Sequence, residues 1–472
     1  MLLWTGGSFA LVLLLIGATA WYALDRLNGN LDKVAVPYDN PATSGAPVNL
    51  LFIGTDQRLG AGNEGYGDAE SAGHADTTVL LHFSADRSHA TALSIPRDLI
   101  VDIPDCETQQ KDGSVLTVPG ATGVRFNESY GVNGRDPGCT WSTVEQLTGL
   151  EINHFMLADF NAVKDLSTAV GGVEVCVAKD IDDRKSHLQL AAGRHVIEGE
   201  QALAFVRTRD SVGHGSDLSR IELQQQFLGS MARSLKSGDT LTSPTKLWDL
   251  AEAATNALTV DTGIGDIRKL SDLARDLSQV PVPDISFVML PVLDNPDETV
   301  RATVVLDEAN ALPLFRMLQE GKSLTGPGAE QAADTDDGKN GGKKPEPAPA
   351  AEVRVDVYNG GTKIGAAQET LTWLQTSHGM HLASNAGNAA ESQATTVLEF
   401  GADQSGQAAT LKKLMGLPDN ALQEQAFDAG ETPMKLVLGD DFRAAGKPIE
   451  IPAEKPQDLQ AVTADDEDVC AS

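Results

Sequence analysis

The pattern of hydrophobic and polar positions predicts an α/β fold for residues 48–320. Apolar runs typical of buried strands cover residues 48–54, 77–83, 89–95 and 172–177, and residues 98–103 alternate as a half-buried strand does. Helical spacing of apolar side chains is found at residues 142–147, 160–170 and 220–235. Because helices and strands intermingle along the chain, we predict a mixed central sheet flanked by helices.

A second, smaller α/β domain is predicted at residues 352–443. Val353, Val355 and Val357 alternate with polar residues, a pattern typical of a half-buried strand, and a helix and two further strands follow. Between the domains, residues 321–351 carry almost no apolar side chains and are predicted to form a disordered linker. The Pro-rich, acidic tail at residues 444–472 is predicted to be disordered as well.

The first 24 residues contain no charged side chain, and this run is long enough to span a bilayer. A cleaved signal peptide is the alternative, because Ala18-Thr19-Ala20 fits a cleavage site. The apolar run continues past that site through Trp21 and Tyr22, which favours an uncleaved signal-anchor followed by a stalk at residues 25–47. Under either explanation, the folded domains are predicted to lie outside the cell membrane.

The charge balance argues against a nucleic-acid partner. The chain has 36 Lys plus Arg against 67 Asp plus Glu, which gives a net charge of -31. Binding to a nucleic acid depends on basic side chains that neutralise phosphates, so an acidic chain is repelled by that backbone. One local basic site within an acidic protein remains compatible with this composition.

The four cysteines predict a disulfide and exclude a zinc site of the usual spacing. None of them forms a C-x-x-C pair, and an exported protein meets an oxidising environment. We favour a bridge between Cys106 and Cys139, which bracket one loop-rich stretch. Cys176 lies in an apolar run and is predicted to be a buried free thiol, and Cys470 is predicted to be free.

Charged residues gather at the ends of the predicted strands. Asp56, Asp76 and Arg97-Asp98 adjoin three strands, where α/β sheets bind ligands. Further on come Arg207, Arg209 and Arg220, with Gln224 one helical turn after Arg220. Two carboxylates are able to bind Mg²⁺, and several arginines are able to bind a phosphate group. A metal ion beside arginines is the arrangement that catalyses phosphoryl transfer. Taken singly, each residue is explained equally well as a surface charge or an ion-pair partner.

An ordered set of motifs extends over residues 48–235. Its members are Asn49–Arg58, Ala75–Thr78, Ser94–Asp98, Val101–Pro104, Asn127–Tyr130, Asp159-Phe160, Gly171–Val175, Gly199–Ala204, Val206–Arg209 and Asp217–Phe227. In order and spacing this set resembles the catalytic domain of the LytR–CpsA–Psr family. Residues 353–443 look like the C-terminal domain that is often fused to this family.

The resemblance implies a membrane-anchored, extracytoplasmic phosphotransferase. Such enzymes bind a polyprenyl-pyrophosphate-linked glycopolymer, with the lipid in an apolar tunnel, and join the polymer to peptidoglycan. By position, Asp56 and Asp76 are implied to hold Mg²⁺ (or Mn²⁺). The implied pyrophosphate ligands are Arg58, Arg97, Arg207, Arg209, Arg220 and Gln224.

Two further positions have an implied role beside an alternative explanation. Asp98 is one candidate for the base that accepts the acceptor's proton, although its pairing with Arg97 is an equally good structural explanation. His74 stands where the family often has Arg, and a protonated His is able to substitute for it as a phosphate ligand. A core or surface His without a ligand is the more usual explanation of such a residue.

Three other functions compete with the transferase. A hydrolase that cleaves the same pyrophosphate needs the same site. A non-catalytic wall-polymer-binding protein would use the C-terminal domain as its working part. A transcription attenuator is disfavoured, because the sequence has no helix-turn-helix and no basic stripe.

Overall fold

The computed structural model describes residues 18, 21–36, 45–57, 73–109, 113–209, 211–212, 217–236, 243–299, 302–324, 347–417, 421–425, 432–449, 455–456, 459, 461–466 and 470. The chain divides into two compact units. The first comprises residues 1–333 and 453–472, and the second comprises residues 334–452. The tail of the chain therefore belongs to the first unit.

The strands of the first unit up to residue 320 are β1 (Asp32–Val34), β2 (Val48–Thr55), β3 (Ala75–Phe83), β4 (Ala90–Ile95), β5 (Ile100–Ile103), β6 (Cys106–Gln109), β7 (Val115–Val118), β8 (Ala121–Arg125), β9 (His154–Ala158), β10 (Val173–Val177), β11 (Ile181–Asp183), β12 (Leu188–Leu190), β13 (Gly193–Ile197), β14 (Leu258–Asp261), β15 (Ile285–Met289), β16 (Val292–Asp294) and β17 (Val304–Leu306). The second unit contributes β18 (Val355–Asn359), β19 (Ala383–Asn388), β20 (Val397–Gly401), β21 (Leu422–Gln425) and β22 (Met434–Leu438), and the tail contributes β23 (Ala461–Thr463).

The helices of the first unit are α1 (residues 21–30), α2 (Pro137–Thr148), α3 (Phe160–Ala169), α4 (Gly199–Arg207), α5 (Asp217–Lys236), α6 (Pro244–Ala257), α7 (Ile267–Leu277) and α8 (Glu308–Gln319). Those of the second unit are α9 (Ala366–His378) and α10 (Ser405–Met415).

The first unit is built on an eight-stranded mixed sheet, as predicted. Its strand order is β1-β14-β9-β2-β3-β4-β15-β23. The central strand β2 runs parallel to β9 and antiparallel to β3, and β4 runs parallel to β15. The C-terminal ends of β2 and β4 and the N-terminal end of β3 therefore lie on the same side of the sheet. The loops that adjoin these strand ends come together there.

The two faces of this sheet have different roles. Leu51 and Ile53 of β2 are fully buried in the main core, together with Trp141 of α2 and Phe315 of α8. Because side chains alternate along a strand, Phe52 points to the opposite face, where it lines a cavity with residues of α3, α4 and α5. One face thus supplies the packed core and the other supplies the site.

The predicted stalk is wrong over residues 25–34. Residues 21–30 form α1, whose Leu27 is buried, and β1 extends the central sheet by pairing in parallel with β14. This segment has few apolar residues, but their spacing lets them pack against the edge of the sheet. Because most of the segment is polar, the sequence did not predict this packing. Within the part of the chain that the structure describes, no helix is long and apolar enough to cross a membrane, and the apolar run at residues 1–20 lies almost wholly outside it.

The tail also departs from the prediction of disorder. Strand β23 pairs antiparallel with β15 at the edge of the central sheet, and Arg233 of α5 donates a hydrogen bond to the carbonyl of Ala464. Cys470 forms a disulfide with Cys176. The predictions that both of these thiols are free were therefore wrong, because the partners lie 294 residues apart and meet only in the folded unit. The structure also joins Cys106 to Cys139, the pair favoured from the sequence.

The predicted linker is ordered at both ends. Leu324 packs into the core of the first unit with only 1% exposure, and residues 350–352 form a short 3-10 turn before β18. Residues 325–346 lie outside the described residues. The second unit is a five-stranded sheet in the order β19-β18-β22-β20-β21, and its core includes Leu374 of α9 and Leu411 of α10. This is the second α/β domain that the sequence predicts.

The buried side chain of His82 makes the free energy of unfolding depend on pH. This β3 side chain is 1% exposed, and its Nδ1 lies 2.7 Å from Asn49 Oδ1. Burial, with smaller contributions from His89 and Arg87, lowers the pKa of His82 from 6.5 to about 4. Between these two pH values the unfolded chain binds more protons than the folded chain, so the free energy of unfolding falls as the pH falls. The loss reaches about 3 kcal/mol at most when both states are protonated.

We therefore expect His82→Gln to flatten the pH dependence of the free energy of unfolding between pH 4 and 6.5, measured by urea unfolding in detergent. His195→Gln, at a more exposed position, is the control and should keep the wild-type slope. Burial raises the pKa of Asp136 to about 6, so this carboxyl makes the free energy of unfolding rise as the pH falls. The effect of His82 is therefore measured as the difference between the variant and the wild type. Equal slopes in His82→Gln and the wild type would contradict the assignment.

Candidate functional site

A cavity of about 330 Å³ lies on the open face of the central sheet, beside the ends of β2, β3 and β4. Its polar lining comprises Thr55, Asp56, Asp76, Thr77, Arg97, Asp159, Asp183, Lys185, Arg207, Arg209, Arg220 and Gln224. Its apolar lining comprises Phe52, Gly54, Ala158, Phe160, Ala162, Val163, Leu166, Leu203, Val206, Phe227, Leu228 and Met231. Ten residues were predicted to bind phosphate or metal or to act in catalysis, and seven of them line this one cavity. The seven come from three strand ends, from α5, and from the last residue of α4 and the segment that follows it.

Asp76 connects two of the arginines at the cavity. The Nη1 atom of Arg97 donates to Asp76 Oδ1 at 2.9 Å, and the Nη2 atom of Arg220 donates to the backbone carbonyl of Asp76 at 2.7 Å. Arg220 is only 7% exposed. The start of β3 therefore holds both guanidinium groups in place before any ligand arrives, which reduces the entropy lost on binding.

Gln224 and Arg207 are also held by neighbouring elements. Gln224 Nε2 donates to Thr77 Oγ1 at 2.9 Å and to the carbonyl of Val206 at 3.1 Å, which links α5 to β3 and α4. The guanidinium of Arg207 lies over the ring of Phe160, 4.7 Å from its centroid. This cation–π contact helps to hold the guanidinium of Arg207, the last residue of α4, in place.

Asp56 is bound to the neighbouring loop. Its Oδ1 accepts the backbone N–H of His74 at 2.8 Å and lies 3.7 Å from His74 Nδ1. Gly73 permits this return of the chain, since its φ is +85° and a Cβ there would lie 2.4 Å from Thr55 Oγ1. His74 therefore sits beside Asp56 at the rim and does not line the cavity itself. Arg58 falls outside the described residues.

Asp98 lies behind Arg97 and does not line the cavity. Its two carboxylate oxygens are 3.7 Å from Arg97 Nε and 3.6 Å from Arg125 Nε. The geometry thus favours the structural explanation of Asp98, in which the carboxylate orients Arg97. As a proton acceptor Asp98 is poorly placed, because two guanidinium groups lie beside it and it does not line the cavity.

Sequence reasoning did not single out three charged residues of the cavity. Asp159 caps α3 by accepting the N–H of Ala162 at 3.0 Å, and a motif pointed to it only as part of the resemblance. Asp183 Oδ1 accepts the N–H groups of Lys185 and Ser186 in the turn after β11. Lys185 stands in that turn with no motif around it, so only the fold reveals it.

The electrostatics of the cavity differ from those of the whole chain. Among its described lining residues are five cations, namely Arg97, Lys185, Arg207, Arg209 and Arg220, against four carboxylates. A protein of net charge -31 thus has a slight excess of positive charge at this one site. No cluster of three or more His, Cys, Asp or Glu side chains with metal-ligand geometry occurs in the described part of the chain, so Asp56 and Asp76 offer two oxygen donor groups at most.

The cavity changes from polar to apolar along α5. Arg220 and Gln224 occupy the first part of this helix, and Phe227, Leu228 and Met231 follow on the cavity side. The distance from residue 220 to residue 231 along a helix is about 16 Å. A ligand that fills the cavity must therefore have an anionic group at one end and an apolar group at the other.

The sequence is similar to known proteins over most of its length. Residues 25–319 match the model of the LytR_cpsA_psr family, and residues 352–442 match the model described as LytR cell envelope-related transcriptional attenuator. The cell wall biosynthesis protein LcpA of Corynebacterium glutamicum is 28% identical over 437 residues, which are 87% of this chain and 81% of LcpA. The polyisoprenyl-teichoic acid–peptidoglycan teichoic acid transferase TagT of Bacillus subtilis is 27% identical over 49% of this chain and 69% of its own.

Among solved structures, the LytR-Csp2A-Psr enzyme from Actinomyces oris aligns over 61% of this chain and 96% of its own, at 20% identity and a TM-score of 0.45. The family model covers well over half of the chain, including every described residue of the cavity. The chain is a member of the LytR–CpsA–Psr family.

Proposed function

We propose that this protein is an extracytoplasmic phosphotransferase. It would move a glycopolymer from a polyprenyl-pyrophosphate carrier to a hydroxyl of peptidoglycan and release polyprenyl phosphate. The observation that carries the proposal is the two-part cavity, in which clustered arginines adjoin an apolar channel along α5. The name of the relative TagT, which specifies a polyisoprenyl-linked polymer and a peptidoglycan acceptor, supports the same donor and acceptor classes.

The cavity suits both parts of such a donor. Arg97, Arg207, Arg209 and Arg220 would bind the pyrophosphate, since guanidinium groups donate paired hydrogen bonds to phosphate oxygens. The polyprenyl chain would lie along Phe227, Leu228 and Met231, where its burial removes apolar surface from water. Gln224 lies between the two regions and would contact the phosphate nearer the lipid.

The reaction is a phosphoryl-type displacement. The acceptor oxygen would bond to the sugar-proximal phosphorus, while the bond from that phosphorus to the bridging oxygen breaks and its electron pair leaves with polyprenyl phosphate. The acceptor proton passes to solvent or a carboxylate of the cavity. Arginines already held by Asp76 would stabilise the negative charge that develops on the phosphates, without reorganising during the reaction.

The proposed reaction would use a divalent cation held by Asp56 and Asp76. Asp56 and Asp76 supply carboxylate oxygens, and Mg²⁺ is commonly held by one or two carboxylates together with substrate phosphates and water. Bound Mg²⁺ or Mn²⁺ would neutralise phosphate charge.

We expect Mn²⁺ binding, followed by electron paramagnetic resonance in the presence of a polyprenyl pyrophosphate, to weaken at least tenfold in Asp56→Asn and Asp76→Asn. Asp272→Asn, an exposed carboxylate of α7, is the control. Unchanged Mn²⁺ binding in both site variants would remove the metal from the proposal.

A product assay tests the proposed function. The full chain in detergent is incubated with a polyprenyl-pyrophosphate oligosaccharide, Mg²⁺ and peptidoglycan fragments, and mass spectrometry follows the products. Oligosaccharide joined to peptidoglycan through a phosphodiester is the expected result. Sugar phosphate without joined product would instead establish the hydrolase, and tight donor binding without turnover would establish a wall-polymer-binding protein.

A further inference from the structure

An exposed apolar surface, here called the aromatic end, lies at the N-terminal ends of α1 and α6. Trp21 and Tyr22 of α1 are 67% and 63% exposed, and Leu247 of α6 is 40% exposed. Trp248 adjoins them, and its Nε1 donates to Glu252 Oε2 at 3.1 Å. Large apolar side chains this exposed are costly in water unless another apolar phase covers them.

The two helices run side by side in the same direction. Arg26 of α1 pairs with Glu252 of α6, and one turn later Asn30 Nδ2 lies 3.4 Å from Thr255 Oγ1. Because the partners advance together along both helices, their N-terminal ends are on the same side of the first unit. Trp21 and Tyr22 therefore belong to one surface with Leu247 and Trp248.

This surface is continuous with the apolar part of the cavity. Leu250 of α6 packs against the same buried apolar cluster as Val163 of α3 and Met231 of α5, and the latter two residues line the cavity. Leu247 lies one turn before Leu250 on the same helix. One apolar cluster therefore connects the cavity lining to Leu250, and Leu250 is followed toward the start of α6 by the exposed Leu247.

The chain itself indicates what covers the aromatic end. Residues 1–20, which lead directly into α1, contain no charged side chain. Trp and Tyr are enriched where membrane proteins cross from hydrocarbon to headgroups, because their rings are apolar and their N–H or O–H groups are polar. The nearest exposed charges on α6, Lys246 and Asp249, have opposite signs, so the surface is suited to the apolar interface itself and not to one class of charged headgroup.

We propose that the aromatic end is seated in the interface of the lipid bilayer, so that the apolar part of the cavity faces the membrane. A polyprenyl carrier would then enter from the bilayer past Leu247 without its lipid crossing water. That consequence rests on the proposed function, whereas the seating of the surface does not.

Spin labelling of the full chain in zwitterionic phospholipid vesicles tests the seating. All four native cysteines are in disulfides, so a nitroxide on Leu247→Cys is the single label. Leu116→Cys on β7, where Leu116 is 55% exposed, is the matched control. We expect collisions with oxygen to exceed those with an aqueous nickel chelate at position 247, and the reverse at position 116.

Equal accessibility to the nickel chelate at both positions would overturn the seating. So would dipolar broadening between labels at position 247 without lipid contact, which would show that a second copy of the chain covers the surface. In the product assay, Leu247→Glu should lower transfer from a long-chain donor in vesicles about tenfold and leave transfer from a short, water-soluble donor unchanged. A lipid-exposed label without any transfer would refute the proposed function and leave the seating intact.

Discussion

Arg97→Ala is expected to lower the rate of glycopolymer transfer by about 10²–10³-fold, the usual effect of removing one preorganised donor that stabilises developing charge. Arg97 lines the polar part of the cavity, and Asp76 and Asp98 orient its guanidinium group from two directions. The substitution removes a cation that faces the phosphates and leaves Asp76 without that ion pair. The initial rate of phosphodiester product, measured by mass spectrometry with Mg²⁺ present, is the readout.

Two companion variants distinguish the loss of positive charge at the site from a loss of stability in the segment around Asp98. Arg125→Ala also removes a guanidinium that faces Asp98, but Arg125 does not line the cavity, so transfer should fall less than threefold. Arg97→Lys keeps the charge and loses the paired donors, so it should recover only part of the rate. A rate for Arg97→Ala like that of Arg125→Ala, with both proteins folded, would show that Arg97 does not contact the transferring phosphates.

The pair of substitutions Cys176→Ala and Cys470→Ala is expected to lower the free energy of unfolding of the first unit by about 2–5 kcal/mol. The disulfide closes a loop of 294 residues, so in the chain-entropy account its loss greatly enlarges the conformational freedom of the unfolded chain. It also holds the tail next to β23, which pairs with β15, and next to the contact between Arg233 and Ala464. Unfolding by urea in detergent, followed by circular dichroism, measures the effect.

The other disulfide provides the comparison. Replacing Cys106 and Cys139 opens a loop of only 33 residues, so its entropic effect should be smaller by about 2 kcal/mol. Hydrogen exchange adds a local readout, because loss of the Cys176–Cys470 bridge should speed exchange of the β23 amides while those of β4 remain protected. Protection of β23 that matches the wild type, with an unchanged free energy of unfolding, would mean that the bridge adds nothing to the attachment of the tail.

Asp98, a candidate base by sequence, does not line the cavity. Asp98 is next to Arg97 in sequence and belongs to the same motif, so the sequence treats the two as equal candidates for chemistry. Successive residues after a strand point in different directions, however, and the fold places Asp98 beside Arg125 and outside the lining of the cavity. Lys185 illustrates the converse, since it lines the cavity although no motif surrounds it.

Sequence alone determined the features that depend on local pattern and on the order of motifs. Alternating and helical spacing predicted both α/β domains and several of their central strands and helices. The ordered motifs identified the charged residues Asp56, Asp76, Arg97, Arg207 and Arg220. These features are local because strands and helices each impose a fixed spacing of apolar residues, which is visible within a short segment of the chain.

The tertiary structure decided what depends on partners that are distant in sequence. The pairing of Cys176 with Cys470, the addition of β1 and β23 to the central sheet, and the folding of residues 25–34 against it were all missed. Short polar segments carry too few apolar residues to predict order by themselves, and they become ordered because a sheet edge supplies their hydrogen bonds. The joining of arginines and apolar side chains into one cavity likewise follows from the packing of α3, α4 and α5 over the ends of β2 and β3.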